Sequence, residues 1–160
     1  MRNRLYEDED YRIWTSLAQT RALLYMARGR ELVQYDISPR QAAALAAIQA
    51  IGSKATPAKV SRWLCREPHT VSSLLSRMEG EGLVRKTKDL GRKNLVRITL
   101  TKKGKKAYAQ SLGRESIHEI MSALSKEDRR QLSPCLEKLR VKALLELGKS
   151  KKTLYPLPNE

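Results

Sequence analysis

The sequence holds few of the residues that build disulfide frameworks, metal centres or membrane spans. It has two cysteines, Cys65 and Cys135, and neither belongs to a Cys-x-x-Cys motif or a Cys/His cluster. This excludes a disulfide scaffold and a zinc finger, and it fits a reducing compartment. No apolar run reaches the length of a membrane span, and residues 1–14 lack the apolar core of a secretory signal. We therefore expect a soluble cytoplasmic protein with no membrane partner.

Motifs of catalysis and cofactor binding are also missing. The chain has no Gly-rich phosphate loop and no nucleophile elbow. His118 has no second ligand at a metal-binding spacing, so we expect no metal, no cofactor and no enzyme. Cys65 and Cys135 are interpreted as packing residues, with a redox-sensing role as the alternative.

Acidic residues are scarce beside basic ones, with 17 against 32. The excess is concentrated in the middle of the chain, because residues 54–106 hold 15 basic and 4 acidic residues, a net +11. Residues 1–53 carry +1 (7 basic, 6 acidic) and residues 107–160 carry +3 (10 basic, 7 acidic). A basic patch confined to one third of the chain indicates a polyanionic partner, with nucleic acid favoured over an anionic membrane.

Proline, glycine and capping residues mark the helices clearly. Ser38 and Gln41 have the spacing of a capping box, and Pro residues follow Ser38, Thr56 and Glu67 at first helical positions. The predicted helices cover residues 9–33, 39–51, 57–65, 68–81, 103–123 and 126–147. Pro134 is expected to kink the last helix or to restart it with Ser133 as its cap.

A β-hairpin is predicted directly after the fourth helix. Val96, Ile98 and Leu100 alternate with neighbours on the other face, and residues 83–87 form a shorter strand candidate. The loop 88–94 between them is basic and contains a glycine. Two short helices followed by such a hairpin predict a mainly α fold with a small β-hairpin wing, a winged helix-turn-helix.

The fourth predicted helix has two contrasting stripes within "EPHTVSSLLSRMEGEGLVRK". One stripe is apolar and suits a core. The other carries Thr70, Ser73 and Arg77, and two more hydroxyls, Ser72 and Ser76, lie beside it. Exposed helix faces usually carry long charged residues, because Ser and Thr are weaker helix formers. A helix that enters a DNA major groove needs short side chains, and one arginine can bind guanine O6 and N7 together.

These segments, in this order, resemble the MarR family of winged helix-turn-helix transcription regulators. The resemblance lies in "SPRQAAALAAI", "TPAKVSRWL", "HTVSSLLSRMEGEGLV" and "VRITLTKKG", and its order spans about residues 9–147. It implies a homodimer in which residues 1–37 and 104–148 form dimerisation helices and residues 38–103 bind DNA. The basic tail, residues 149–160, is predicted to be disordered.

The resemblance implies roles for particular residues. Thr70, Ser72, Ser73 and Arg77 match the groove-reading face, Pro68 and His69 match a helix start near phosphate, and Arg92 matches the wing tip in the minor groove. The predicted DNA interface also includes Ser76, Lys88, Lys93, Thr56 and Lys59. His69 could equally be an ordinary exposed residue. The family's wing has an Asp-x-Arg pattern, whereas here Leu90 stands two residues before Arg92 and Asp89 stands three before.

The first helix supports a dimer independently of the resemblance. Its 24 or so residues span roughly 36 Å and carry more apolar surface than one small module can cover. Trp14 and Tyr25 are interpreted as core or dimer contacts, with a small-molecule pocket as the alternative. We therefore predict a sequence-specific regulator, a repressor, that binds an inverted repeat of double-stranded DNA and responds to a small effector. An architectural DNA-binding protein with little sequence preference is the alternative.

Overall fold

The computed structural model describes residues 7–89, 91 and 95–149, which form seven α-helices and one antiparallel hairpin. The helices are α1 (Glu9–Leu32), α2 (Pro39–Ile51), α3 (Pro57–Leu64), α4 (Pro68–Gly80), α5 (Lys102–Gln110), α6 (Glu115–Met121) and α7 (Lys126–Glu146). The strands are β1 (Val84–Lys88) and β2 (Val96–Leu100), with single 3-10 turns at Val33–Tyr35 and Gly52–Lys54. The predicted fold class, mainly α with a hairpin wing, is confirmed.

Local capping explains where the helices begin. Ser38 and Gln41 form the predicted capping box, since the Gln41 amide donates to Ser38 Oγ (3.3 Å) and the Ser38 amide donates to Gln41 Oε1 (2.7 Å). A second box at Ser125 and Asp128 starts α7, with 2.9 Å between the Ser125 amide and Asp128 Oδ2. Each cap satisfies backbone donors that the first helical turn leaves free.

The core lies between α2, α3, α4 and the hairpin. Leu45, Val60, Leu75 and Met78 are fully buried there, together with Ile98 of β2. The Ile98 amide also donates to the Ala55 carbonyl oxygen at 3.0 Å, which ties the hairpin to the segment before α3. Burying a side chain of this size contributes about 1.5–3 kcal/mol, so this core holds α4 firmly in place.

The fifth helix departs from the prediction. Residues 103–123 were expected to form one helix, but α5 ends at Gln110 and α6 begins at Glu115. Arg114 takes a left-handed conformation with φ 54°, which breaks the helical path. The Glu31 carboxylate then caps the new helix start, accepting from the amides of Glu115 (2.9 Å) and Ser116 (3.2 Å).

Glu31 is the centre of a polar junction between α1 and α6. Arg28 Nη1 lies 2.6 Å from Glu31 Oε2, and both side chains are nearly buried. Burial raises the pKa of the Glu31 carboxyl, but the Arg28 guanidinium and the Ser116 donors outweigh it and lower the pKa from 4.5 to about 2. The Glu31 carboxylate is therefore ionised at neutral pH.

Pro134 does not restart the last helix, so that part of the prediction is wrong. Helix α7 runs through it from Lys126 to Glu146. Proline removes one backbone donor, but this turn of α7 is exposed and water can satisfy the carbonyl that loses its partner.

Helices α1 and α7 leave large apolar side chains uncovered. These exposed residues are Ile13, Trp14, Leu17, Leu23 and Met26 on α1, and Leu132, Leu136, Leu139 and Leu145 on α7. Cys65 and Cys135 are exposed as well, so their interpretation as packing residues is wrong within this chain. Among the residues that the structure describes, no helix is long and apolar enough to span a membrane.

Candidate nucleic-acid interface

Helix α4 packs against the core with one side and exposes the other side to solvent. Val71, Leu75 and Met78 are buried, whereas every residue of the helix that was predicted to contact DNA is exposed: Pro68, His69, Thr70, Ser72, Ser73, Ser76 and Arg77. Pro68 occupies the first helical turn, where its missing N–H costs nothing. The structure therefore brings these seven residues together on one accessible surface.

The two edges of this surface differ. On the wing side, Lys86 Nζ of β1 donates to Ser76 Oγ at 2.7 Å, and the Lys86 amide donates to Glu79 Oε1 at 2.9 Å. On the other side, Thr70, Ser73 and Arg77 line a cleft against α1 and α2. Ser73 Oγ donates back to the His69 carbonyl oxygen (3.0 Å), as a hydroxyl in a helix commonly does.

Arg77 is the long donor of the exposed surface. Its side chain is 61% exposed, and its Nε lies 3.6 Å from Glu81 Oε1 one turn later. An exposed pair at this distance contributes about 0–1 kcal/mol, so the guanidinium can leave it at little cost. The Glu81 carboxylate also accepts a hydrogen bond from Gln41 Nε2 of α2, so Glu81 has a second partner besides Arg77.

The hairpin pairs in regular antiparallel register from Val84 opposite Leu100 to Lys88 opposite Val96. Lys88 is exposed at the end of β1. Arg92 and Lys93 lie outside the described residues. Asp89, which stands three residues before Arg92 in place of the family's Asp-x-Arg spacing, pairs with β2: its Oδ2 accepts from Arg97 Nε at 2.8 Å. Asp89 Oδ1 also accepts from the Gly91 amide at 2.9 Å, which fixes the start of the turn.

Thr56, at the start of α3, does not match its predicted role in phosphate binding. Thr56 is only 6% exposed, and its Oγ1 accepts from the Lys59 amide at 3.3 Å. A capped and buried hydroxyl stabilises the helix start and is not presented to a phosphate. Lys59 is half-buried, with its side chain one turn into α3.

A cleft of about 560 Å³ adjoins the exposed side of α4. Besides residues of α4 it is lined by Tyr25 and by three arginines that the sequence reasoning did not select, Arg21, Arg40 and Arg66. These arginines come from three separate segments, so no local spacing could have grouped them. Trp14 does not line the cleft; it is 69% exposed and lies three helical turns, about 16 Å, from Tyr25.

Within the described part of the chain, no three His, Cys, Asp or Glu side chains gather in a way that could hold a metal ion. The described residues instead form an exposed helix face, a basic hairpin beside it and an arginine-lined cleft on its other side. Chemically, it offers hydroxyl and guanidinium donors to an anionic or polar surface.

Solved structures of other proteins share this architecture. The ligand-free form of the organohalide-sensing transcriptional regulator RdhR is 33% identical, with a TM-score of 0.87, and the match covers 96% of this chain and 92% of that one. The chain belongs to the MarR family of transcriptional regulators. RdhR has also been solved with 2,4-dichlorophenol bound, at 32% identity and a TM-score of 0.84.

Two further relatives in the family were solved on DNA. The S. aureus MepR–DNA complex is 25% identical with a TM-score of 0.72, covering 78% of this chain and 93% of that one. An E. coli MarR mutant on operator DNA is 19% identical with a TM-score of 0.74, covering 79% and 92%, and shows the shared fold. No family model and no curated protein sequence matches the chain.

Proposed function

We propose that the chain is a sequence-specific, DNA-binding transcriptional repressor. The main support is the burial pattern of α4, which buries its apolar side and exposes hydroxyls and one arginine. This helix also lies in the most basic third of the chain. Short side chains let a helix backbone approach base edges in the major groove. A protein that occupies an operator in this way excludes other proteins from the same DNA, and the MepR and MarR complexes with DNA support this class of function.

Different residues then have different tasks on the DNA. Arg77 reads a guanine, since it is long, exposed and only loosely paired with Glu81. The hydroxyls of Thr70, Ser72 and Ser73 contact base edges or phosphates, and Pro68 and His69 bring the start of α4 to a phosphate. Phosphate contacts set the position of the protein, whereas the Arg77 contact sets its base preference.

The wing contacts the neighbouring minor groove. Lys88 ends β1, and Arg92 and Lys93 follow it in the basic loop of the hairpin. A narrow A·T-rich minor groove has the most negative potential and favours an inserted arginine, so Arg92 enters the groove while the two lysines contact adjoining phosphates. In the variant Arg92→Ala, the slope of log K against log salt should flatten by about 1 per subunit.

The repressor is a homodimer. Helices α1, α6 and α7 border an apolar groove of about 1200 Å³ lined by residues such as Ile13, Leu17, Ile120 and Leu136. A second copy of the chain fills this groove most economically, because its own α1 and α7 carry the same uncovered side chains. Two copies of α4 would then meet half-sites about one turn, roughly 10 bp, apart on an inverted repeat.

Competition binding on a duplex selected from a random library tests the proposal. At fixed salt, the selected duplex should bind at least 10³-fold more tightly than random duplex, as is typical of specific regulators. Arg77→Ala should cost about 1–3 kcal/mol on the selected duplex and far less on random DNA. Arg130→Ala, at an arginine on α7 that is also exposed and paired with a glutamate, is the matched control. If the wild-type protein binds both duplexes equally well, it is instead an architectural DNA-binding protein.

A small effector acts through the cleft beside α4. Thr70, Ser73 and Arg77 line the cleft from α4, so a molecule lodged there withdraws the same side chains from DNA. The arginines on its other walls favour an acidic or phenolic compound, and the RdhR complex with 2,4-dichlorophenol supports this class. That phenol should release the wild-type protein from its operator but not Arg40→Gln, whereas Arg30→Gln, outside the cleft, should respond like wild type.

A further inference from the structure

The hairpin is joined to α4 through one glutamate. The Lys86 amide of β1 donates to Glu79 Oε1 of α4 at 2.9 Å. The Lys86 ammonium donates to Ser76 Oγ at 2.7 Å and lies 3.6 Å from Glu79 Oε2. Ser76 and Glu79 are three residues apart, so they lie on the same side of α4. Both the backbone and the side chain of Lys86 therefore contact this side of the helix.

The pairing of the two strands explains why the Lys86 amide is free to bond with Glu79. Lys86 lies opposite Ile98 in the antiparallel register. Opposite residues alternate between pairs that exchange both backbone hydrogen bonds and pairs that exchange none. The Ile98 amide donates instead to the Ala55 carbonyl oxygen at 3.0 Å, so this pair is of the second kind and both amides point outward. The hairpin is thus held from both edges at one level, by Ala55 and by Glu79.

The angle between the hairpin and α4 depends on such contacts. Residues 81–83 form the short connection between α4 and β1. Val84 is buried at the base of β1, whereas Lys88 at its far end is exposed, and Lys86 lies between them on the same face. Five strand residues span about 17 Å, so a tilt of about 12° at the base would move the far end by about 3.4 Å, the rise of one base pair.

We propose that Glu79 is a positioning residue for operator recognition. It holds β1 at a fixed angle to α4 and so sets the number of base pairs between the base that α4 reads and the flanking pairs that the hairpin contacts. This rests on the proposed function, because it presumes that α4 and the hairpin lie in neighbouring grooves. The role is indirect, since a carboxylate would repel a DNA phosphate, and Glu79 acts through the Lys86 amide.

Operator duplexes that differ only in their outer flanks test this inference. In one duplex the flanking A·T pairs become G·C, and in another one base pair is inserted in each half-site between the flank and the guanine read by Arg77. Wild type should bind each altered duplex about fivefold or more weakly, the typical cost of one wrong base pair. In Glu79→Ala the hairpin can tilt, so both losses should shrink to within about twofold, while the preference for guanine at the Arg77 position stays.

Glu79→Gln is the matched control for the alanine variant. Both variants make the same change in net charge, and glutamine and alanine are both good helix formers. Glutamine keeps a side-chain oxygen that can accept from the Lys86 amide, so Glu79→Gln should retain the wild-type flank losses. Each loss is a ratio of two affinities measured on one preparation, so the fraction of active protein does not affect it.

Three results would overturn the inference. Glu79→Ala could keep the wild-type flank losses, Glu79→Gln could lose them as alanine does, or Glu79→Ala could weaken the guanine preference in the same proportion, which would indicate damage to α4 itself. A wild-type protein that reads the guanine but ignores the flank would also overturn it and leave the proposed function intact. A wild-type protein that prefers no sequence would instead overturn the proposed function.

Discussion

Two regions of the molecule use their apolar residues in opposite ways. The first runs from α2 to the start of α5, and the second is the pair of helices α1 and α7. In the first, Leu45, Leu75 and Ile98 are fully enclosed by the same chain. In the second, Trp14 and Leu136 are 69% and 44% exposed although both helices are long. The first region is complete as one copy, whereas the second has an apolar surface that a monomer leaves in water.

This difference assigns separate tasks to the two regions. A DNA-reading helix must keep its geometry whether or not a partner is bound, and the closed core around α4 supplies that rigidity. The proposed dimer would instead be set by a surface that one copy cannot satisfy. The comparison predicts that substitutions in the first region act on folding, whereas those in the second act on association.

Gly104→Ala should have the largest effect and should act on folding. A Cβ at Gly104 would overlap the Leu83 carbonyl oxygen, which already accepts from the Thr101 amide at 3.1 Å. Backbone cannot step aside cheaply, so we expect a loss of about 3 kcal/mol or more in the free energy of unfolding, measured by urea denaturation.

Gly80→Ala is the matched control for that substitution. Gly80 ends α4 and has nothing within 4 Å of its position for a Cβ. Alanine should there be neutral or stabilising by up to about 1 kcal/mol, because it is the better helix former. Equal stability of the two alanine variants would contradict the close packing of α5 on Leu83.

Leu136→Glu should act on association and spare the fold. Leu136 lines the apolar groove of α1, α6 and α7, so a buried carboxylate there should weaken the proposed dimer by about 2–3 kcal/mol, or roughly a hundredfold. Sedimentation should show monomer at concentrations where wild type is dimeric. Lys138→Glu, an exposed position on another side of α7, should stay dimeric. A wild-type monomer at micromolar concentration would count against the dimer itself.

Local signals explain which parts of the fold the sequence predicted. Caps such as Ser38 with Gln41 act within one turn, so the starts of α2, α3, α4 and α7 were predicted correctly. The two stripes of α4 follow from helical periodicity, which also placed Thr70, Ser73 and Arg77 on one exposed surface. These features need no knowledge of the rest of the chain.

The features that were not predicted from the sequence depend on contacts between residues far apart in the chain. The break between α5 and α6 depends on Glu31 of α1, which caps α6 from across the fold. Thr56 was predicted to contact a phosphate. A buried capping hydroxyl and an exposed hydroxyl cannot be distinguished in the sequence, and only the burial of Thr56 in the structure shows which one it is. The arginines of the cleft, including Arg40 and Arg66, meet only after α1, α2 and the α3–α4 turn have packed.

Glu31→Gln should give a smaller, pH-dependent effect at the junction of α1 and α6. The folded pKa of Glu31 is about 2, below its ordinary 4.5, so its contribution is fully present above pH 4.5 and is lost as the pH falls towards 2. At pH 7 the variant should lose about 2 kcal/mol, typical of hydrogen bonds to a charged group.

The pH dependence is the decisive readout for that variant. The difference in unfolding free energy between wild type and Glu31→Gln should shrink steadily as the pH is lowered from 4.5. Asp128→Asn is a comparison at an exposed capping site, where hydrogen bonds from Ser125 also lower the pKa of the carboxyl. A stability difference for Glu31→Gln that stays constant down to pH 3 would show that the carboxylate charge does not hold α1 against α6.

Asp89→Asn should have the smallest effect, and it concerns the wing. Asparagine can still accept from the Gly91 amide but loses the ion pair with Arg97. Because both side chains of this pair are partly exposed, the free energy of unfolding should fall by no more than about 1 kcal/mol. If the pair braces the wing, the ratio of operator to random-duplex affinity should fall by up to about fivefold. A pure charge effect would raise binding to both duplexes and leave that ratio unchanged. Glu127→Gln makes the same change in net charge at the start of α7, far along the chain from the wing, and should not lower the ratio. Equal ratios for the two variants would mean that the Asp89–Arg97 pair does not orient the wing on DNA.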